Sequence, residues 1–257
     1  MNFYRYLWIF ILIINYSIYS QSIDSNFTLV IDPGHGGKDP GNTGNGYLEK
    51  KIALSIGLKI GERLKKYKNI SVIYTRKTDV FVDLYRRAKI ANDVQADLFI
   101  SIHCDAHTSN AYGAGTFVLG LHANERNFKI AQKENSVIFL EDDYQQKYEG
   151  FDPNNPESVI SLVLMQEDYL DKSIVAANFI QKSFVNRLKR RDRTVKQAGF
   201  LVLRNTFMPS VLVETGFLTN KSEGSYLNSN KGQNEMADAI SDAIINYFKA
   251  LDNPSKS

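Results

Sequence analysis

The chain alternates short apolar runs with longer amphipathic stretches. The short runs, rich in β-branched residues, predict strands at 27–31, 70–75, 97–102, 115–119, 200–203 and 211–213. Apolar residues spaced by three or four positions predict helices near 50–67 and 234–251, a helix that Asp83 caps, and a mostly helical stretch from about 120 to 193. Alternating strands and helices predict a single α/β domain with a mostly parallel, mixed sheet, helices on both faces and a helical insertion.

The first 20 residues have the pattern of a secretory signal peptide. Arg5 precedes an apolar run at 7–18, and Ser20 is a small residue next to a plausible cleavage point. The run is short for a membrane span, so we expect cleavage near Gln21 and no membrane anchor afterwards. An uncleaved anchor is the alternative. The folded domain is expected over 27–251, with the insertion at about 121–195.

Composition and charge narrow the possible classes of function. The 257 residues are 43% hydrophobic and 23% charged, and the formal net charge is only +3. This weak imbalance argues against a nucleic-acid partner, and we interpret the basic stretch at 189–193 as the solvated end of a helix. Cys104 is the single cysteine, so it has no partner for an intrachain disulfide.

We also expect the protein to be a monomer.

Three polar residues follow predicted strands. His35 comes after the first strand, His103 ends the third, and Glu214 directly follows the apolar residues 211–213. The carboxyl ends of parallel strands share one edge of a sheet, where ligands of open α/β folds bind. We therefore expect these side chains to converge at one site.

The residue types at this edge suit a catalytic zinc site. Zinc enzymes use three ligands from His, Glu, Asp or Cys and leave a fourth position for water. His35, Glu49 and His103 would make a His₂Glu set, with Glu214 as general base. Each has a simpler interpretation: Glu49 also suits the first turn of a helix, and each histidine also suits packing or a hydrogen bond to the backbone.

At this point the chain resembles a known family. The matching segments are IDPGHGGKDPG at 31–41, LEK at 48–50, TR at 75–76 with Asp79, RA at 87–88, AN at 91–92, ADLFISIH at 96–103 and LVETGFLTN at 212–220. Their order from Phe27 to about Ala250 resembles that of zinc-dependent N-acetylmuramoyl-L-alanine amidases of the amidase-3 type. The resemblance implies that His35, Glu49 and His103 bind zinc and that Glu214 is the catalytic glutamate. It also implies hydrolysis of the amide between N-acetylmuramic acid and L-alanine of peptidoglycan.

One departure from the family pattern lies after the second histidine. The family usually has Ala-Asn or Ala-Asp there, whereas this chain has Cys104-Asp105. Neighbouring strand residues face opposite sides, so we expect Cys104 to turn away from the site and to pack in the core. His107 is a candidate for substrate contact, and His122 is expected at the surface.

The predicted insertion is acidic. The resemblance extends to relatives that act in daughter-cell separation, in which a helix of such an insertion covers the site and an acidic side chain occupies the metal until a protein activator displaces it. By this resemblance Glu134 is the first candidate for the blocking ligand and Glu141 the second. A solvated acidic helix is the alternative. We expect a low basal rate, a protein activator and a periplasmic location.

Two other classes of function stay open. A non-catalytic wall-binding protein on the same fold would lack a ligand or the glutamate, and all four candidates are present here. A zinc peptidase that cuts within the stem peptide would keep them.

Overall fold

A six-stranded mixed sheet forms the centre of the fold. The computed structural model describes residues 23, 25–121, 124–159 and 167–253. The sheet strands are β1 (Phe27–Pro33), β4 (Ile70–Tyr74), β5 (Leu98–Asp105), β6 (Ala114–Leu119), β7 (Asp192–Ala198) and β8 (Ser210–Phe217), in the order β4-β1-β5-β8-β6-β7. Neighbours are parallel except β6 and β8. A small hairpin, β2 (Thr43–Gly44) and β3 (Tyr47–Leu48), leads into the first helix. The predicted α/β class with a mostly parallel sheet is confirmed.

Helices cover both faces of the sheet. They are α1 (Glu49–Leu64), α2 (Leu84–Asp93), α3 (Glu125–Asn135), α4 (Tyr144–Lys147), α5 (Glu167–Asn186), α6 (Leu201–Arg204), α7 (Lys221–Asn228) and α8 (Asn230–Asp252), with 3-10 turns at Ser136–Leu140 and Pro156–Val159. Alternate strand residues serve the two sides: Leu29 and Ile31 pack with α1, α5 and α8, whereas Val30 packs with α2, α3 and α6. We call the second side the α2/α3 face.

The predicted strand at 200–203 is wrong. Residues Leu201–Arg204 form a short helix, and the strand in this part of the chain is β7, which ends at Ala198, before the predicted run begins. The run was apolar because all four residues of α6 are buried on the α2/α3 face, and a short apolar run does not distinguish a buried helical turn from a strand. Edge strand β7 has only Val195 and Ala198 as apolar residues, so it shows no such run.

The predicted helix cap at Asp83 is only partly confirmed, and two other predictions fall outside the described residues. Asp83 occupies the N-cap position of α2, but its side chain makes no capping hydrogen bond and instead accepts from Lys147 Nζ at 2.8 Å. The predicted signal peptide and His122 lie outside the described residues. None of the helices within the described ranges is long and apolar enough to cross a membrane.

Helix α1 offers a matched pair for testing the core. Ile60 is fully buried in the core between α1, α8 and the sheet, whereas Leu58 on the same helix is 37% exposed. Ile60→Ala should lower the free energy of unfolding by about 2–5 kcal/mol, because the removed atoms leave a cavity. Leu58→Ala should change it by less than about 1 kcal/mol. Urea denaturation measures both, and equal losses would contradict this packing.

Candidate active site

The site lies at the carboxyl end of the sheet, on the α2/α3 face. His103 of β5 and Glu214 of β8 are paired in register, so both side chains point to the same side. His35 lies in the turn after β1 with φ 61°. Glu49 is the first residue of α1 and is fully buried. The structure therefore brings the four predicted residues to one edge.

Two glycines let the backbone approach the histidines. A Cβ on Gly34 would lie 2.5 Å from His103 Cε1, and one on Gly41 would lie 2.5 Å from His35 Cδ2. Gly41 also has φ +68°, a conformation that disfavours other residues. The glycines of the segment at 31–41 thus allow the loop to fold closely around the rings.

Four side chains place potential metal ligands close together. His35 Nε2 lies 3.2 Å from Glu49 Oε1, which lies 3.0 Å from His103 Nδ1. Glu134 Oε2 lies 3.1 Å from each of these two ring nitrogens. One ligand atom of each residue lies within 4.8 Å of the others, and all four residues are buried. This is the arrangement expected of a closed, four-ligand cluster.

Each histidine has its second nitrogen oriented by another side chain. His35 Nδ1 lies 2.7 Å from Asp39 Oδ2, which favours the tautomer with Nε2 free toward the cluster. His103 Nε2 lies 3.0 Å from Ser101 Oγ, and that hydroxyl donates to Asp32 Oδ2 at 2.6 Å. His103 therefore presents Nδ1, and not Nε2, to the cluster. Such outer contacts are typical of metal-binding histidines.

The donor set fits a zinc ion. Bonds of about 2.0–2.1 Å in a tetrahedron place ligand atoms about 3.4 Å apart, close to the separations above. His35 Nε2 and Glu134 Oε2 are buried and lie 3.1 Å apart, but neither makes a hydrogen bond of good geometry among the described residues. Such atoms are costly unless something compensates them, and a divalent cation would do so.

The electrostatics of the cluster favour a cation. Burial alone would lower the pKa of His103, but the carboxylates of Glu134 and Glu49 outweigh it and raise this pKa to about 9. The pKa of His35 is raised well above its ordinary value by the same two carboxylates, against the effect of burial. A region that holds protons on two buried histidines also attracts a metal ion.

Glu214 is buried beside the cluster and has no hydrogen bond. Neither of its carboxylate oxygens has a partner among the described residues. Burial and the nearby carboxylates of Asp105, Glu134 and Glu49 raise the pKa of Glu214 well above its ordinary value. A bound cation would offset part of this repulsion and make the ionised form accessible. An unpaired carboxyl with a raised pKa in a cleft suits proton transfer.

The two candidate blocking residues occupy different places. Glu134 belongs to the cluster, held on α3 by a cap at Asn124 and by Asn135, whose amide donates to Gly199 O at 2.7 Å. Glu141 instead accepts from Leu84 N at 2.9 Å and Tyr148 OH at 2.7 Å, away from the cluster. Glu141 therefore helps attach the segment after α3 to α2.

The predicted insertion contains two kinds of structure. Helix α3 and the described residues up to 159 cover the site on the α2/α3 face, whereas α5 packs with α8 on the opposite face and β7 belongs to the sheet. The part that covers the site is therefore shorter than 121–195.

The side chains of the remaining candidates lie outside the cluster, although the Cys104 backbone N donates to Glu49 Oε1 at 2.8 Å. Cys104 is fully buried and packs in the core with α1 and α8, with its Sγ 3.1 Å from Thr215 Oγ1. His107 is exposed and accepts from Ser109 N, and it lines a cavity of about 390 Å³ next to Glu134. Contact of His107 with substrate stays a prediction.

Sequence reasoning assigned no role to several residues that organise the site. Asp32 accepts from Thr75 at 2.5 Å, Arg87 at 2.7 Å and Ser101 at 2.6 Å. Burial would raise the pKa of Asp32, but Arg87 and the two hydroxyls outweigh it and hold this pKa below its ordinary value. The position of Asp32 directly after an apolar strand could have indicated that this carboxylate is buried and paired. Nothing local in the sequence connects it with Arg87.

Comparison with known proteins places the chain in a family. A family model described as N-acetylmuramoyl-L-alanine amidase matches residues 29–246. The chain belongs to this amidase-3 family.

Individual amidases match over most of the chain. N-acetylmuramoyl-L-alanine amidase AmiA of Salmonella typhimurium is 36% identical over 238 residues, which cover 91% of this chain and 80% of the relative. LytC of Bacillus subtilis, also named an N-acetylmuramoyl-L-alanine amidase, is 32% identical over 86% of this chain and 36% of its own length. A crystal structure of an N-acetylmuramoyl-L-alanine amidase from Clostridium difficile 630 matches with a TM-score of 0.67 and 28% identity, and covers 89% and 98% of the two chains.

The family and these relatives support an N-acetylmuramoyl-L-alanine amidase that hydrolyses peptidoglycan. The binding-protein and stem-peptidase alternatives lose their main support, because the match spans nearly the whole described chain and its relatives carry this enzyme name.

The ion pair beneath the amidase site can be tested directly. Arg87 and Asp32 are 2% and 0% exposed, so Arg87→Met should leave a buried carboxylate without its cation and lower stability by about 3–5 kcal/mol at neutral pH. Because pairing depresses the pKa of Asp32, this loss should shrink as the pH falls through the acid range and Asp32 becomes protonated. Denaturation of both proteins from pH 3 to 7 measures it, and Lys89→Met on the exposed side of α2 is the control. A pH-independent difference would contradict the assignment.

Proposed function

We propose that the chain is a zinc-dependent amidase in which His35, Glu49 and His103 bind the metal and Glu214 transfers the proton. The observation that carries this proposal is that Glu49 Oε1 lies 3.2 Å from His35 Nε2 and 3.0 Å from His103 Nδ1. Beside these atoms, the buried carboxyl of Glu214 has no hydrogen-bond partner among the described residues. The separations, the orientation of both rings and the negative field all suit zinc.

Zinc bound there would acidify a water molecule and polarise the scissile carbonyl. The protein supplies the remaining chemistry. Asp39 and Ser101 hold the ring nitrogens in position. Glu214 accepts the proton of the attacking water at its carboxylate and then donates it to the departing L-alanine nitrogen. Its paired position beside His103 supports this role. No side chain has to form a covalent bond with the substrate.

Product analysis tests the proposal at the level of the bond. The purified chain is incubated with peptidoglycan, with and without a zinc chelator, and soluble products are analysed by mass spectrometry. We expect stem peptides that begin with L-alanine, their loss on chelation and their return with zinc. Glu214→Gln should lower the rate at least about 10³-fold and leave the zinc content unchanged, because this residue is not among the proposed ligands.

Other outcomes would separate the alternatives. Fragments cut inside the peptide would indicate a stem peptidase. A zinc-loaded Glu214→Gln variant that keeps the wild-type rate would refute the assignment of the base.

We further propose that Glu134 is an internal blocking ligand. With Glu134 beside His35 and His103 at 3.1 Å, four protein groups surround the metal position, and a closed tetrahedral site leaves no place for water. His35 and His103 outweigh the effects of burial and of Glu49, so the pKa of Glu134 falls to about 2 and the side chain is ionised at neutral pH. Substrate access would then require α3 to move, which supports a low basal rate and a protein activator.

Removing this carboxylate should open the site. We expect Glu134→Ala to release stem peptides at least about tenfold faster than the unmodified chain, since displacing a bound ligand no longer opposes the reaction. Glu125→Ala on the exposed first turn of the same helix is the matched control and should leave the rate unchanged. Release at the wild-type rate by Glu134→Ala, with zinc still bound, would exclude the blocking role.

The proposed biological setting follows from the leader. We propose export by the signal peptide at 1–20, a periplasmic location, a monomeric enzyme, and action in cell-wall remodelling or daughter-cell separation. The family match to AmiA supports a role in the cell wall.

A further inference from the structure

Strand β7 departs from regular geometry next to the site. Its pairing with β6 runs from Ala114 opposite Asp192 to Thr116 opposite Val195, so three steps on β7 match two on β6. Thr194 lies within this bulge with φ 64°, a conformation that is costly for a β-branched residue. Bulges with strained backbone often redirect side chains at functional sites.

The bulge brings two cations to the same face of the sheet. In a regular strand, residues 193 and 196 would face opposite sides, because their separation is odd. Here a Cβ on Gly115 would lie 3.3 Å from Arg193 Cβ and 2.9 Å from Lys196 Nζ. Both side chains therefore border the space above Gly115, where only a hydrogen stands in place of a side chain.

This space adjoins the paired residues His103 and Glu214 of the candidate active site. Gly115 of β6 is paired with Glu214 of β8, which is paired with His103 of β5. Paired residues point to the same side, so His103, Glu214, the space over Gly115 and the two cations of β7 follow one another across four adjacent strands. Strands are about 4.8 Å apart. The backbones of β7 and β8 thus lie about 10 Å apart, and the Lys196 side chain reaches back over Gly115.

A third cation lies on α3, which packs against β7 through a hydrogen bond from Asn127 Nδ2 to Gln197 O at 3.3 Å. Arg126 is exposed on the first turn of α3 and lines the cavity of about 390 Å³ that runs between α3 and Asp105 to Glu134. Within the described part of the chain, Arg126, Arg193 and Lys196 form no ion pair with a carboxylate. Arg193 donates to Tyr112 O at 3.2 Å, and Lys196 Nζ lies 4.6 Å from the Phe117 ring centre.

The pKa values of two of these cations are lowered, although the carboxylates of Asp105 and Glu214 act in the opposite direction on Lys196. Burial, Arg193 and Arg126 together lower the pKa of Lys196 to about 8. Burial and Arg126 also lower the pKa of Arg193. Arg126 lines the cavity, whereas Arg193 and Lys196 lie on β7 beside Gly115. An anion that binds among these three positive side chains would stabilise them.

We propose that Arg126, Arg193 and Lys196 form a subsite that binds a carboxylate in the peptide half of the substrate. The proposal rests on the amidase function proposed above. One extended residue spans about 3.3–3.6 Å, so two or three residues after the scissile amide would cross the two strand spacings between Glu214 and β7. The subsite would select acidic stem peptides and set the direction in which the peptide leaves the metal.

Binding to two matched ligands tests the subsite. One is N-acetylmuramoyl-L-alanyl-D-glutamate, and the other is the same compound with both glutamate carboxyls amidated. Calorimetry uses the zinc-loaded chain with Glu134→Ala and Glu214→Gln, so that the proposed blocking ligand is absent and neither ligand is cleaved. We expect the free acid to bind at least about tenfold more tightly, as a charge-assisted hydrogen bond predicts.

Substitutions then test which residues cause the tighter binding of the free acid. Adding Lys196→Met or Arg193→Met should reduce it to less than about threefold, whereas Lys196→Arg should retain it. Lys182→Met, at an exposed lysine of α5, should also retain it. Equal binding of the two ligands, no binding of either, or an unchanged preference in the Lys196→Met and Arg193→Met variants would overturn the proposal.

The outcome can be separated from that of the proposed function. A chain that prefers the free acid but releases no L-alanine-ended peptides from peptidoglycan would support the subsite and refute the amidase chemistry. A chain that releases those peptides but shows no preference would refute the subsite alone.

Discussion

The buried pair of Asp32 and Arg87 is the interaction on which the site depends. Asp32 ends the apolar part of β1 and is fully buried, and Arg87 donates to it and also to Pro33 O and His35 O. One guanidinium therefore neutralises the carboxylate and fixes the backbone that carries the first histidine. The second carboxylate oxygen accepts from Ser101, whose hydroxyl contacts His103. Both histidines are thus positioned through one buried charge.

The same arrangement explains why so much negative charge can gather nearby. Glu49, Glu134 and Glu214 are all buried at one end of the sheet, where like charges would normally oppose folding. The two histidines, the backbone amides of Asn42 and Cys104 that donate to Glu49, and the proposed zinc ion compensate this charge. Function and stability are therefore coupled at this edge, and α3 contributes to both through Glu134.

Positive charge is distributed differently on the same face. The carboxylates surround the metal position, whereas Arg126, Arg193 and Lys196 lie toward β7, without a carboxylate in contact among the described residues. The proposed substrate has a matching polarity, with a neutral amide at the cut and acidic groups farther along its peptide. This separation of charge along one row of the sheet would align the peptide before hydrolysis.

The sequence by itself determined the fold class and three of the four candidate residues, because their signals are local: apolar runs mark the strands, and polar residues at strand ends mark the site. Resemblance raised Glu49 above a helix-terminal acid and selected Glu134. Tertiary structure alone decided the rest. An apolar run could not distinguish α6 from a strand, since burial favours the same residues in both. Likewise, no local pattern joins Asp32 to Arg87, or brings Arg193 and Lys196 to one face, because a long-range ion pair and a bulge against β6 depend on contacts between distant parts of the chain.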